Sequence, residues 1–271
     1  MDDGDVEVVR KPDRFEKAAE ERLVGVFEKE RKRVFYSRQL EIMFEKDFFH
    51  WITNRALHSL LARKMILSEK REMEGGGGIN LYWNKDFRYY RRAAKDVVSL
   101  VEEYADPRIA GALGIHAELM VLEGFAKGEF VLKGRNCRAF GGETWFASEH
   151  DLDFIIERDG VAFGVEVKNT LGYMDYGELK TKIEVCKKLH IKPMFVVRML
   201  ASSWINEVRE AGGFLLVLKY QLYPLAHKEL AKKVAGELGL PVDSPRALED
   251  GTMERFFKWH EKQVKTETNS H

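Results

Sequence analysis

The sequence predicts an α/β protein: a sheet with helices on both faces, preceded by a smaller α+β unit. Three observations predict it. Along residues 113–219 the hydrophobic period runs helix, strands, helix, strand, an order that buries its apolar faces best as a sheet covered on both sides. Within that stretch the step Asp159-Gly160 joins two apolar runs, which marks a tight hairpin. The third observation is charge. The chain has 271 residues with 44 basic and 44 acidic side chains, yet residues 1–30 carry net −4, residues 31–95 net +8 and residues 96–271 net −4. A length of this size favours two domains over one.

The elements of the first unit follow in order. Asp13 is placed to cap a helix running to about Arg33, with Phe15, Ala19, Leu23, Val26 and Phe27 at helical spacing. Ser37 is placed to cap a short second helix through Leu40, Met43 and Phe44. A third runs from Phe49 to about Lys64, with Ile52, Ala56, Leu57, Leu60 and Leu61 on one face. Met65–Leu67 and Ile79–Trp83 read as strands around a glycine-rich turn at 72–78. Helix, short helix, helix and hairpin is the order of a winged helix-turn-helix. A long helix from Asp86 to Tyr104 follows, stopped by Asp106-Pro107.

In the second unit, Leu113–Lys127 reads as a helix closed by Gly128. Strands are expected at Glu129–Lys133, Arg138–Ala147, Leu152–Glu157 and Val161–Lys168. A helix at Gly177–Leu189, a strand at Pro193–Arg198, a short helix at Trp204–Glu210 and a strand at Phe214–Lys219 complete the pattern. Residues 226–271 read as a charged helical extension broken at 240–242, with a frayed end. The expected boundaries are therefore 1–95, a linker at 96–110, 111–225 and 226–271.

The chemistry-bearing segment is 150–169. Strand side chains alternate faces, so Asp151 and Asp153 share one side of their strand and Glu166 and Lys168 one side of the next. Paired in register, Asp153 and Glu166 converge at one end of the sheet with Lys168 beside them. Two carboxylates and an ammonium on an apolar hairpin are costly to bury unless paired or bound to a metal. Oxygen ligands of this kind suit Mg²⁺ or Mn²⁺, and a hard cation beside a lysine is equipment for phosphodiester hydrolysis. Taken alone, Glu166-x-Lys168 also fits an ordinary surface pair at a strand end.

Asp153, twelve intervening residues, then Glu166-Val167-Lys168 resembles the PD-(D/E)xK signature of restriction-endonuclease-like and archaeal Holliday-junction-resolvase-like nucleases. The resemblance covers about residues 111–220. It implies an αβββαβ mixed sheet with flanking helices, and a metal held by Asp153, Glu166 and the Val167 carbonyl. It implies that Lys168 positions the attacking water. Residues 114–125 are similar to the family's first core helix, which gives Glu118 a part in the metal shell. Residues 178–198 are similar to its later helix and strand, which places Lys180 or Lys182 towards the nucleic-acid backbone. The proline that the family often carries before its metal-binding aspartate is replaced by Leu152, so Asp151 stands as a rival to Asp153. Asp153 is preferred because it directly precedes Phe154-Ile155-Ile156.

The expected partner is DNA. In the third helix Asn54, Arg55 and His58 lie opposite the apolar face, where a helix-turn-helix enters the major groove, with Arg63 and Lys64 near phosphates. The same face also fits a protein-binding winged helix. Arg88, Tyr89, Arg91, Arg92 and Lys95 fit a backbone-tracking surface and a solvated helix face equally well. The function read from these residues is a Mg²⁺- or Mn²⁺-dependent DNA endonuclease, plausibly a homodimer. The alternatives are a non-cleaving DNA-binding regulator and an RNA-cleaving enzyme of the same fold. Cys137 and Cys186 make neither a disulfide framework nor a zinc cage. The acidic opening segment lacks an apolar signal core, and no uninterrupted apolar run reaches the ~20 residues of a membrane helix, so a cytoplasmic protein is expected.

Overall fold

A computed structural model describes residues 12–268; the acidic opening segment and the last three residues, where fraying was expected, lie outside the described residues. The chain forms two compact units. Unit 1 takes the chain up to Asp106 together with Gly236–Leu240, and unit 2 takes Pro107–Ala235 and the chain from Pro241.

In unit 1, Asp13 caps α1 (Arg14–Lys29), accepting hydrogen bonds from the amides of Phe15 and Glu16 at 2.9 Å each. These are donors that a helix start cannot satisfy from its own carbonyls. β1 (Val34–Tyr36), α2 (Ser37–Met43) and α3 (His50–Ala62) follow, then a hairpin of β2 (Ile66–Glu72) and β3 (Gly78–Asn84), then α4 (Tyr90–Tyr104). The three strands form an antiparallel sheet ordered β1-β3-β2. Leu23, Phe27, Phe35, Leu40, Leu57 and Leu60 are buried together between the helices and the sheet.

Three details of unit 1 differ from the sequence reading. Ser37 is the first helical residue and Tyr36 holds the cap position without a side-chain bond. β1 was not anticipated, since three residues are too few to show a period. The last helix begins at Tyr90 rather than Asp86. The Asp86 amide donates to Asn84 Oδ1 at 3.0 Å, and the Tyr90 ring stacks on Trp83 with centroids 4.0 Å apart, so residues 85–89 form a turn.

Unit 2 begins with α5 (Pro107–Lys127). Pro107, expected only to stop a helix, also opens the next one, where its missing N–H removes no intrahelical bond. β4 (Val131–Cys137) follows. The strand expected at 138–147 is instead a two-residue-per-arm hairpin, β5 (Ala139–Phe140) and β6 (Glu143–Thr144). Then come β7 (Leu152–Arg158), β8 (Val161–Lys168), α6 (Tyr176–Lys188), β9 (Lys192–Val197), α7 (Ser202–Glu210) and β10 (Phe214–Val217). β11 (Gln221–Leu222), α8 (Lys228–Lys233), β12 (Val242–Asp243) and α9 (Asp250–Thr268) close the unit.

The main sheet of unit 2 is mixed and five-stranded, ordered β10-β9-β8-β7-β4. β4, β7 and β8 are antiparallel, while β8, β9 and β10 are parallel. Phe154, Phe163, Val165 and Val167 pack with Ala117, Val121 and Phe125 of α5 and with Met253 and Phe256 of α9. Leu152 and Ile155 pack with Val185, Cys186 and Leu189 of α6. Helices therefore cover both faces. The C-terminal segment supplies part of the main core through Met253 and Phe256 rather than forming a separate extension. Among the described residues α5 is the one helix long and apolar enough to cross a membrane, a segment the sequence reading passed over. Its inner residues Ala117, Met120, Val121 and Phe125 are packed in this core.

Two glycines set the register on which the site depends. Asp159 and Gly160 both have positive φ, 53° and 77°, and Arg158 pairs with Val161 across them. This is a two-residue turn whose twist matches the strands. A Cβ on Gly164 would lie 2.6 Å from Cys186 Sγ, so glycine lets α6 approach β8 closely.

Candidate active site

β7 and β8 pair Phe154 with Val165 and Ile155 with Gly164. Continuing that register sets Asp153 opposite Glu166 at the end of the sheet. There the Asp153 side chain takes over from the backbone ladder: its Oδ2 accepts from the Val167 amide at 2.6 Å. Asp153 Oδ1 has no protein hydrogen bond among the described residues. Burial, and then the neighbouring Glu166 carboxylate, push the Asp153 carboxyl up from 3.8 to about 7; the Val167 N–H and Lys182 oppose that shift only in part.

Glu166 is buried, at 1% exposure, on the α6 side of the sheet. Its Oε1 meets Lys168 Nζ at 2.9 Å and its Oε2 meets Lys182 Nζ at 2.5 Å. Lys168 also pairs with Glu178 Oε1 at 2.7 Å. Burial pulls the Lys168 ammonium down, but Glu166 and Glu178 outweigh it and hold it well above the ordinary lysine range. It is a fixed cation and hydrogen-bond donor. Glu118 lies further out, its Oε2 2.6 Å from Arg135 Nη2 on β4, and it adds a small upward push to Asp153. Between the two rival aspartates, Asp153 carries the carboxyl that faces Glu166. Asp151 contributes its backbone carbonyl to Lys182, and its charge raises the Cys137 thiol after burial has done so.

Asn169 fixes the end of β8. Its Nδ2 donates to the carbonyls of Leu113 (2.9 Å) and Leu222 (2.7 Å), and its Oδ1 accepts from the Leu222 amide (2.7 Å). Strand, α5 and β11 are thereby tied together one residue beyond Lys168.

Several expected nucleic-acid contacts sit elsewhere. Lys182 is buried at 4% exposure on Glu166 and the Asp151 carbonyl, not on the outer face of α6. The reason is periodicity: Leu179, Lys182, Val185, Cys186 and Leu189 share the inward stripe of α6. That stripe was readable in the sequence and would have found Lys182. Lys180 is exposed, its ammonium 4.6 Å over the Tyr176 ring. On α3, Asn54 donates to Glu41 Oε1 at 2.8 Å, Arg55 reaches Asp13 and Glu16 at 3.3 and 3.4 Å, and Arg63 pairs with Glu20. These three are engaged by acids of the same unit, Arg63 while still exposed, whereas among the described residues the exposed His58 and Lys64 are not. Glu178 and Asn169 were not anticipated, and no spacing signal marks either.

Among the described residues no group of three or more His, Cys, Asp or Glu side chains is arranged to hold a metal. The donors that fit a hard divalent cation are Asp153, whose carboxyl is raised by burial and by Glu166 and whose Oδ1 accepts no hydrogen bond among the described residues, with Glu166 behind it. The chain matches no family model, no curated protein and no solved structure.

Proposed function

We propose that the protein is a metal-dependent endonuclease that hydrolyses phosphodiester bonds in DNA, with unit 1 docking the substrate. The observation that carries this reading is the convergence of Asp153 and Glu166, with Lys168 on Glu166, at one end of a mixed sheet. The element order α5, β4, β7, β8, α6, β9, with the small β5–β6 hairpin between β4 and β7, and the helix-and-hairpin order of unit 1 support this reading.

Asp153, Glu166 and the Val167 carbonyl would hold Mg²⁺ or Mn²⁺, with Glu118 at the margin behind its pair with Arg135. When bound, such an ion makes water a better nucleophile at neutral pH and neutralises phosphate charge. Lys168, kept protonated by its two carboxylates, donates to the attacking water or to a phosphate oxygen and does not take the proton. Asp153 is the group whose protonation governs the site: below about pH 7 it carries a proton and loses its value as a ligand.

A second reading, a DNA-binding protein that no longer cleaves, is favoured by one observation: both Glu166 oxygens are already occupied by ammonium groups. Single-stranded, duplex and branched DNA and RNA, each incubated with Mg²⁺ or Mn²⁺, separate the readings. Cleavage that Asp153→Ala and Lys168→Ala both abolish supports the endonuclease. Cleavage that survives both substitutions removes this site from the chemistry, and a footprint without cleavage favours the second reading. Preferential cleavage of RNA reassigns the substrate. A homodimer in solution would fit cutting of both strands.

A further inference from the structure

Residues 31–95 carry net +8 within a unit that is close to neutral as a whole, yet most of the cations expected to face DNA are spent within it. Arg55 on α3 and Arg63 at its C-terminal cap are paired with acids of α1, and on the hairpin Lys70 and Arg71 pair with Glu72 and Glu69. The turn before α4 and its first turns differ. Lys85, Arg88, Arg91, Arg92 and Lys95 are all exposed and none has an ion-pair partner among the described residues, although Asp86 and Asp96 stand in the same stretch. Arg91, Arg92 and Lys95 occupy the outer side of α4, opposite the buried Ala94, Leu100 and Val101. Tyr89 lies between the arginines and is 88% exposed. The Tyr90–Trp83 stack anchors the helix start, so the array is displayed from a fixed platform.

Stability does not explain this arrangement. Cations at this end of a helix oppose its dipole, the first turn of α4 has no acid to offset them, and the cap residue makes no side-chain bond. A tyrosine this exposed also buries little. Density of unpaired positive charge beside an exposed ring matches one partner chemistry: a phosphate backbone with a base free to stack. From Tyr90 to Lys95 the chain advances about 8 Å at helical rise, and Arg88 extends this span through the preceding turn, long enough to meet about three successive phosphates of one strand.

We propose that residues 85–95, rather than the face of α3, form the principal DNA-backbone grip of unit 1, with Tyr89 presented to an unstacked base. The proposal rests on the reading of the protein as acting on DNA. The test is fluorescence anisotropy of the full chain on a labelled duplex with a single-stranded tail, in EDTA so that nothing is cut. For R88Q/R91Q/R92Q, affinity at 0.1 M salt is expected to fall about 100-fold or more, and the salt slope to shrink by about 2.7, at about 0.9 for each phosphate no longer neutralised. For R55Q/R63Q the drop in affinity is expected to stay under about threefold, because those arginines are not free to reach phosphates. Circular dichroism and melting of the triple variant should match the wild type, because the altered side chains are exposed. An unchanged salt slope in R88Q/R91Q/R92Q overturns the proposal. So does an equal drop in R55Q/R63Q, or a wild-type protein that binds no DNA. The chemistry is read separately by hydrolysis of bis(4-nitrophenyl) phosphate with Mn²⁺, which needs no docking surface. Failure there counts against the nuclease and leaves the anisotropy result to judge the grip.

Discussion

Asp153→Asn should stabilise the metal-free protein at alkaline pH, and the size of the gain follows from the site. The folded carboxyl titrates at about 7 against an ordinary value of 3.8, because it is buried and shares its end of the sheet with Glu166. Each pH unit between those values is worth 1.36 kcal/mol, so ionising Asp153 in the folded chain costs about 4 kcal/mol, or about 2–3 once partial solvent access is allowed for. The sign is fixed by proton counting. Between about pH 4 and 7 the folded state keeps a proton that the unfolded state has released, so stability falls as pH rises through that window and is flat above it. Asparagine cannot ionise, and its Oδ1 can still accept from the Val167 amide. Urea unfolding in EDTA, followed by fluorescence of Trp145, Trp204 and Trp259 in unit 2, should show near-equal midpoints for wild type and variant at pH 4. By pH 8 the variant should lead by about 2–4 kcal/mol. Adding millimolar Mg²⁺ or Mn²⁺ at pH 8 should close the gap from the wild-type side, since a ligand that binds only the folded wild type raises its stability alone. A difference that does not change with pH, or a variant that is the weaker protein at pH 8, would refute the assignment of Asp153 as a charge-starved carboxyl.

Two further outcomes follow from the same geometry. Lys182→Met keeps the length of the side chain but leaves buried Glu166 with Lys168 as its only counter-charge, and should cost about 3 kcal/mol in a urea or thermal melt; a loss below about 1 kcal/mol would return Lys182 to a surface role. Asn169→Ala removes three hydrogen bonds and leaves the Leu222 amide without its side-chain acceptor, so unit 2 should lose about 2–4 kcal/mol, with faster hydrogen exchange first at the end of β8.

The parts of the site that were legible in the sequence depend on short-range rules. Asp159-Gly160 specifies a two-residue turn. A two-residue turn fixes register, and the two-residue period of a strand then puts Asp153 and Glu166 on one face. No tertiary information is needed for that chain of steps. The parts that were not legible depend on what packs over the hairpin. Lys182 reads as a surface residue by type, and only its place in the Leu179–Leu189 stripe gives it away. Phe256 enters the core from a segment far beyond β8 in the chain, where composition shows only a charged helix. Pro107 obeys two rules at once, ending one helix and opening another, and the sequence alone does not say which one acts. The pairing state of the basic residues in unit 1 was not legible for a related reason. A count of charges cannot separate Arg55 and Arg63, which acids of α1 neutralise, from Arg88, Arg91 and Arg92, which have no such partner among the described residues.

The site divides its charges unequally, and that division is its chemical content. Glu166 holds two ammonium groups, Lys168 and Lys182, in a buried setting where losing either is costly. Its position is therefore fixed before any ligand arrives. Asp153, directly opposite, is buried and repelled by Glu166 and Glu118, and only the Val167 amide and the more distant Lys182 charge offset this in part. A pair of carboxylates serving only stability would share the available cations, because an unpaired buried charge is the expensive arrangement. Here one carboxylate is paired with two ammonium groups and the other, among the described residues, with none. That asymmetry supports the proposal that an added cation binds through Asp153, with Glu166 as the pre-set second ligand and Lys168 as the donor already in place beside it.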